Sequence, residues 1–233
     1  ICREYTKNIF IRPNKEAVAL DLAFLLRKVK YGWVLKIDAD ERLSHPLRKN
    51  IRNLIENPDV DAYSFAWPFW DGKKETTKKW PRKTSLYRIS KISFLGFPHW
   101  DDPQINGKVE RVDMTLEHRT PGGNTPNWKS SVEKGLKRYL PIQAEHTLRN
   151  FKEFDQFQYD KKDFPIQIRI RRKFPLLSAI PFSIIAFFKT LFSEGAWKEG
   201  AIAFKESFYA MIYYLVLGFE IYKLKMERNF KNG

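Results

Sequence analysis

Tyr31-Gly-Trp-Val-Leu-Lys-Ile-Asp-Ala-Asp-Glu-Arg-Leu43 is the stretch on which the reading of this chain turns. Trp33 to Ile37 is a short apolar run that reads as a buried strand, and Tyr31-Gly32 closes the element before it. Three carboxylates, Asp38, Asp40 and Glu41, follow within four residues. Open α/β sheets bind ligands beyond the carboxyl ends of their strands, so an acidic cluster here stands where a site belongs. Asp38 and Asp40 are two residues apart and share a face in extended backbone. Such a pair suits Mg²⁺ or Mn²⁺, hard cations that are commonly held by one or two carboxylates together with substrate phosphates. Asp-x-Asp alone is equally at home in a solvated turn, with Asp40 or Glu41 capping the next helix.

Working outward, Asn14 is a cap for a helix over Lys15 to Lys30, with Ala17, Leu20, Phe24 and Val29 along one side. Before it, Asn8 to Ile11 reads as a strand. The chain starts just upstream, at Ile1, so an element or two is expected to be missing there. Downstream, Pro46 to Glu56 is a helix closed by Asn57-Pro58. Ala62 to Phe69, Ser85 to Ile89 and Lys108 to Leu116 are strands, with a turn at Asp71-Gly72 and a loop at Pro121 to Pro126. Asn127 to Ala144 is helical but interrupted by Pro141. The order strand, helix, strand, acidic turn, helix predicts an α/β domain over residues 1–150, built on a parallel sheet.

Residues 151–233 differ in character. Lys161 to Lys173 holds six basic residues and one acid, Asp163. Phe174 to Phe188 and Ser207 to Phe219 are uncharged runs of 15 and 13 residues. A spanning helix needs about 18 apolar residues, and Pro175 and Pro181 interrupt the first run. The expectation is therefore a pair of interfacial or re-entrant helices. Arg169, Arg171, Arg172 and Lys173 precede the pair, and Lys223, Lys225 and Arg228 follow it. Both ends then sit at an anionic, cytoplasmic membrane face, as in a peripheral or monotopic protein. Two buried helices of a soluble domain fit the same pattern.

Composition narrows the class. Of 233 residues, 43% are hydrophobic and 15% aromatic, which excludes a disordered chain. The net charge of +15 calls for a polyanionic partner: nucleic acid, an anionic membrane or a phosphorylated substrate. No nucleic-acid-binding signature is present and the basic residues are scattered, which argues against the first. The single cysteine, Cys2, forms no internal disulfide, which fits a reducing compartment. No secretory signal is visible, though a truncated start could hide one.

The quoted stretch resembles the signature of glycosyltransferase family 2, above all the branch that includes the lipopolysaccharide-core glucosyltransferases. Further segments are similar: Trp80-Pro-Arg-Lys-Thr-Ser-Leu-Tyr-Arg88, Phe97-Pro-His99, Leu116-Glu-His118, and Lys129 to Ala144 with Lys137-Arg-Tyr139. The tail from Pro181 to Tyr222 is similar to the family's membrane-associated end. The resemblance covers nearly the whole chain, from Ile9 to about Lys225. It implies a GT-A fold, a Rossmann-like mixed sheet flanked by helices, and inverting transfer from a nucleoside-diphosphate sugar. Asp40 would bind the metal on the diphosphate, and Asp38 the metal or the ribose. His118 is a further metal candidate, and His99 a metal or phosphate contact. Arg82, Lys83 and Arg88 lie in the basic segment Lys73 to Lys91, which suits the donor diphosphate, an anionic acceptor or the bilayer surface, or else a solvated loop; the three are the candidates for binding the diphosphate. Trp67, Phe69 and Trp70 would stack on a sugar or pack in the core.

Inverting transfer needs a base to take the acceptor proton. The family often has Glu after the histidine matched by His99. Here Trp100 follows, then Asp101 and Asp102, which become the base candidates, with Glu117 in reserve. The expected partners are a nucleotide sugar, a lipid-linked or lipopolysaccharide-like acceptor and an anionic membrane surface. The expected role is cell-envelope glycan synthesis. The rivals are an inactive membrane-bound scaffold of the same fold and a basic nucleic-acid-binding protein.

Overall fold

The computed structural model describes residues 2–11, 22, 24–93, 103–149 and 166–232. The chain is mixed α/β: a curled, mixed sheet flanked by helices, followed by long apolar helices. β1 (Trp33–Leu35) and β2 (Glu41–Leu43) flank the acidic turn, and α1 (His45–Glu56) follows. Ser44 caps α1, its hydroxyl accepting from the Leu47 N–H at 3.4 Å, and Pro46 occupies a first-turn position where its missing N–H costs nothing. Next come β3 (Ala62–Ala66), β4 (Arg82–Arg88), the short hairpin of β5 (Ile92–Ser93) and β6 (Gln104–Ile105), and β7 (Val109–His118).

The five-stranded sheet has the order β1-β4-β3-β7-β2. Only β3 and β7 run parallel; β1/β4, β4/β3 and β7/β2 are antiparallel. This corrects the parallel sheet expected from element order. The segment after β3 does not cross over as a helix but doubles back as β4. Between β3 and β7 the register slips: Ser64 faces Arg111, while Ala66 faces Thr115. The extra residues on β7 bend it, and its last three residues leave β3 and pair with β2. Arg82 spans the slip, donating to the Ser64 carbonyl and, at 2.8 Å, to that of Val112. β1 and β2 lie at opposite ends of the strand order yet are separated by only residues 36–40. The sheet must curl for so short a link to join its edges.

β3 is buried along its whole length, as a central strand covered on both faces is. Leu47 and Val60 pack with Tyr63, Phe65, Leu86 and Leu116 in the core between α1 and the sheet. Fully burying each such side chain is worth about 1.5–3 kcal/mol.

Asn8 to Ile11, expected as a strand, is exposed and irregular, and among the described residues no neighbouring strand supplies its backbone hydrogen bonds. Most of the helix expected over Lys15 to Lys30 lies outside the described residues; Phe24 to Leu26 are helical.

The second helical region starts with a turn at Trp128–Ser130, widens into a π-helix over Ser131–Tyr139, and continues as α2 (Leu140–Leu148). Pro141 does not interrupt it. A proline clashes with the carbonyl four residues back, and the wide turns move that carbonyl aside, with the Leu140 N–H bonding Gly135 O five residues back. α3 (Ile166–Lys173), α4 (Pro175–Phe192) and α5 (Ala201–Asn232) follow, with a 3₁₀ segment at Ser193–Glu199 between the last two.

α4 and α5 form an antiparallel pair, and Leu140, Ala144 and Leu148 of α2 pack on Tyr213, Leu217 and Ile221 of α5. Neither proline breaks α4: Pro175 is its first residue, and Pro181 lies on its exposed side. The uncharged runs thus extend into helices of 18 and 32 residues, both long and apolar enough to cross a membrane. This corrects the expectation that they fall short. Lys189 and Lys205 lie within these helices, so counting uncharged residues underestimated their length.

Candidate functional site

The acidic turn bridges the mouth of the curled sheet. The Glu41 N–H donates to Asp38 O at 3.0 Å, and the Asp38 N–H donates back to the Glu41 carboxylate at 2.8 Å. The Glu41 side chain is 0% exposed. Its carboxylate also accepts from the Trp67 indole N–H and from Lys83 Nζ, each at 2.6 Å. Lys83 reaches Asp38 Oδ2 at 2.6 Å as well. A buried carboxylate is thus met by three donors, one of them cationic, as burial of a charge demands. Burial works against the Lys83 ammonium, but its hydrogen bonds to Asp38 and Glu41 outweigh that and raise its pKa above the usual 10.5.

Asp40 points the other way, to the end of β7. Its Oδ2 accepts from Thr120 Oγ1 at 2.9 Å and lies 3.1 Å from His118 Nε2. Asn124 Oδ1 accepts the Trp70 N–H at 2.5 Å, which aims the Asn124 amide nitrogen at His118 Nδ1, also 2.5 Å away. With Nδ1 accepting, the proton sits on Nε2 and is donated to Asp40. Trp67 lies flat on the His118 ring, with centroids 4.2 Å apart, so one tryptophan touches both halves of the site. Burial pushes the Asp40 pKa up. The Thr120 hydrogen bond, the attraction of His118 and the turn's own amide together bring it below the usual 3.8.

The loop after β7 holds this geometry. Gly123 has φ of +88°, and an added Cβ would come within 2.8 Å of the Asp71 carbonyl carbon and 2.9 Å of the Trp70 oxygen. Only glycine lets Asn124 approach that closely. Arg119 lies over the Trp70 ring at 4.0 Å and pairs with Glu117 at 3.2 Å.

The fold therefore gathers Asp38, Asp40, Lys83 and His118 of the expected residues. Arg88 is at the far end of β4, roughly 16 Å from Lys83 by strand rise, where it donates to the Val60 and Asn57 carbonyls. Arg82 is committed to the carbonyls at the register slip. Glu117 is paired with Arg42 at 2.7 Å. His99, Asp101 and Asp102 lie outside the described residues. Thr120 and Asn124 were not anticipated as site residues; the Gly122-Gly123 pair beside them was the available signal.

Among the described residues, Lys83 meets Asp38, and Thr120 and His118 meet Asp40, through Oδ2, so no other side chain there takes the second oxygen of either carboxylate. Carboxylate oxygens are the hard donors that a divalent cation completed by phosphate oxygens and water would take, although Asp38 faces Lys83 and Asp40 faces His118, not the common face expected from extended backbone. Among the described residues no group of three or more His, Cys, Asp or Glu side chains is arranged to enclose a metal by itself. No known protein family, curated protein or solved structure matches the chain.

Proposed function

We propose that the protein is a metal-dependent, inverting glycosyltransferase of the GT-A type, bound to the cytoplasmic face of a membrane. It would move a sugar from a nucleoside diphosphate to a lipid-linked or lipopolysaccharide-like acceptor. The observation that carries this reading is the pair of half-committed carboxylates, Asp38 and Asp40, at the end of β1. Among the described residues, neighbouring side chains hold each through Oδ2 and leave Oδ1 to other partners. Mg²⁺ or Mn²⁺ bound there would stabilise the departing diphosphate. The protein's own part is orientation. Lys83 fixes Asp38 and, with Trp67, fills the valences of Glu41, while Thr120 and His118 fix Asp40.

The helical region supports in-plane membrane association. α2 and the π-helix run alongside α5, joined by Tyr209 to Ser131 O at 2.9 Å, Tyr213 to Gln143 at 2.6 Å and Arg228 to Leu148 O at 3.2 Å. Lys129, Glu133, Lys134, Lys137, Arg138 and Glu145 lie along that flank. A crossing helix pair would carry these charges into hydrocarbon, at about 2.5–3.5 kcal/mol each by insertion scales and more by simulation. Lying flat, the pair keeps them in water and buries Leu177, Ile180, Phe188 and Phe219, which are exposed here.

The second reading, an inactive scaffold, is favoured by one observation: Lys83 pairs with both Asp38 and Glu41, the role a bound cation would otherwise take. Thermal unfolding in detergent with nucleoside-diphosphate sugars, with and without Mn²⁺ or Mg²⁺, separates the two. A ligand specific for the folded state adds about 2.7 kcal/mol at a hundredfold excess over its dissociation constant. Stabilisation by one nucleotide class only with metal, abolished in Asp40→Ala, is the expected result. A well-folded sample that no nucleotide stabilises would turn the assignment to the scaffold.

A further inference from the structure

A cavity of about 490 Å³ opens where α2 and α3 end, against the C-terminal part of α5. Arg169, Arg172, Lys173, Lys225 and Arg228 line it, with Leu148 and Asn229. Glu145 pairs with Arg228.

Part of this charge has a structural use. Arg228 donates to Leu148 O at 3.2 Å, and Arg172 to Arg149 O at 2.9 Å. Lys225 lies 3.5 Å and 3.4 Å from the carbonyls of Arg172 and Lys173. These bonds cap the two helix ends and fix the cations in position. Each helix C-terminus carries about half a negative charge, so the two ends offset roughly one positive charge. Arg169 has no hydrogen bond or ion pair among the described residues, and Lys173 contacts only the Phe174 ring, 5.1 Å from its centroid. A preorganised cluster with uncompensated charge is a phosphate site in waiting.

Apolar side chains stand beside the cations in the chain. Phe174 follows Lys173 and Leu177 lies in the first turn of α4, while Met226 and Phe230 share α5 with Lys225 and Arg228; all four are exposed, Leu177 and Phe230 at 79% and 81%. A soluble anion gains nothing from such neighbours, whereas an amphiphile gains at both ends. The geometry points to a discrete binding site for the phosphate headgroup of an anionic phospholipid, its acyl chains lying along α4. It is independent of the transfer reaction and goes beyond general attraction to a charged bilayer.

The test is co-sedimentation of the whole chain with vesicles of phosphatidylcholine alone or with phosphatidylglycerol. Arg169→Glu/Lys173→Glu reverses the two cations not used for capping. Arg48→Glu/Lys49→Glu on exposed α1 makes the same change in net charge elsewhere. Arg169→Ala/Lys173→Ala, which adds no repulsion, guards against misfolding, and near-native melting temperatures qualify all three. The expected result is at least a tenfold loss of binding to phosphatidylglycerol vesicles for the cavity reversal and less than twofold for the α1 reversal. Binding to phosphatidylcholine should be unchanged. Equal losses for both reversals would overturn the site in favour of diffuse charge. Thermal stabilisation by inorganic pyrophosphate that the cavity reversal abolishes, with vesicle binding unaffected, would overturn the lipid assignment and give the cavity to a soluble polyphosphate.

Discussion

At the residue scale, the site rests on Lys83. Removing the ammonium leaves Glu41 buried with only two N–H donors. Loss of one partner from a buried ion pair costs about 3–5 kcal/mol. Lys83→Met should lose on the order of 3 kcal/mol in urea unfolding at neutral pH, and Lys83→Met/Glu41→Gln should recover part of it; a double variant no better than the single would show that the cost is packing. The pKa of Lys83 is raised, so its contribution is complete below 10.5 and fades as pH climbs through the higher folded value. That of Asp40 is lowered, so its contribution is present above 3.8 and is lost as pH falls through the lower folded value. Unfolding free energies measured from pH 6 to 2 should therefore fall less steeply at the acid end for Asp40→Asn than for the native chain.

At the element scale, the α4/α5 pair depends on a missing side chain. A Cβ at Gly218 would meet the Ala179 Cβ at 2.5 Å and Pro175 O at 2.9 Å. Gly218→Ala should destabilise the helical region by about 1–3 kcal/mol, as overpacking does. Adding Ala179→Gly removes the first clash and leaves the second, so melting in detergent should recover only in part. Full recovery would mean that the Pro175 carbonyl moves freely.

At the scale of the whole molecule, the apolar face and the sheet are tied together. The amides of Lys78 and Lys79 donate to the Glu199 carboxylate at 3.0 and 2.9 Å, and Trp80 packs with Ala196 and Ala203. The acidic turn is thereby carried by a body whose other side is exposed and apolar. Leu177→Glu/Phe219→Glu should weaken vesicle binding on the order of 100-fold, since burying each side chain is worth about 1.5–3 kcal/mol. The melting temperature should not move, because both residues are exposed. Unchanged flotation would exclude this face from the bilayer.

The sequence by itself determined the local features: β1 with its acidic tip, the helix at Pro46, and the apolar, basic-flanked tail. Each follows from neighbours in the chain, whether period, cap or charge. Element order pointed to a parallel sheet and the family resemblance to a mixed one; the fold is mixed, and tertiary structure alone decided which strands pair, because pairing depends on which distant strand comes alongside. It chose Lys83 over Arg82 and Arg88 for the site, since position along β4 sets which cation reaches the turn. It also brought Thr120 to Asp40 across 80 residues, through a register slip that bends β7 toward β2, and set Asn124 behind His118. A long-range contact of that kind leaves no periodic mark in the sequence, because its energy depends on packing between segments rather than on the composition of either one.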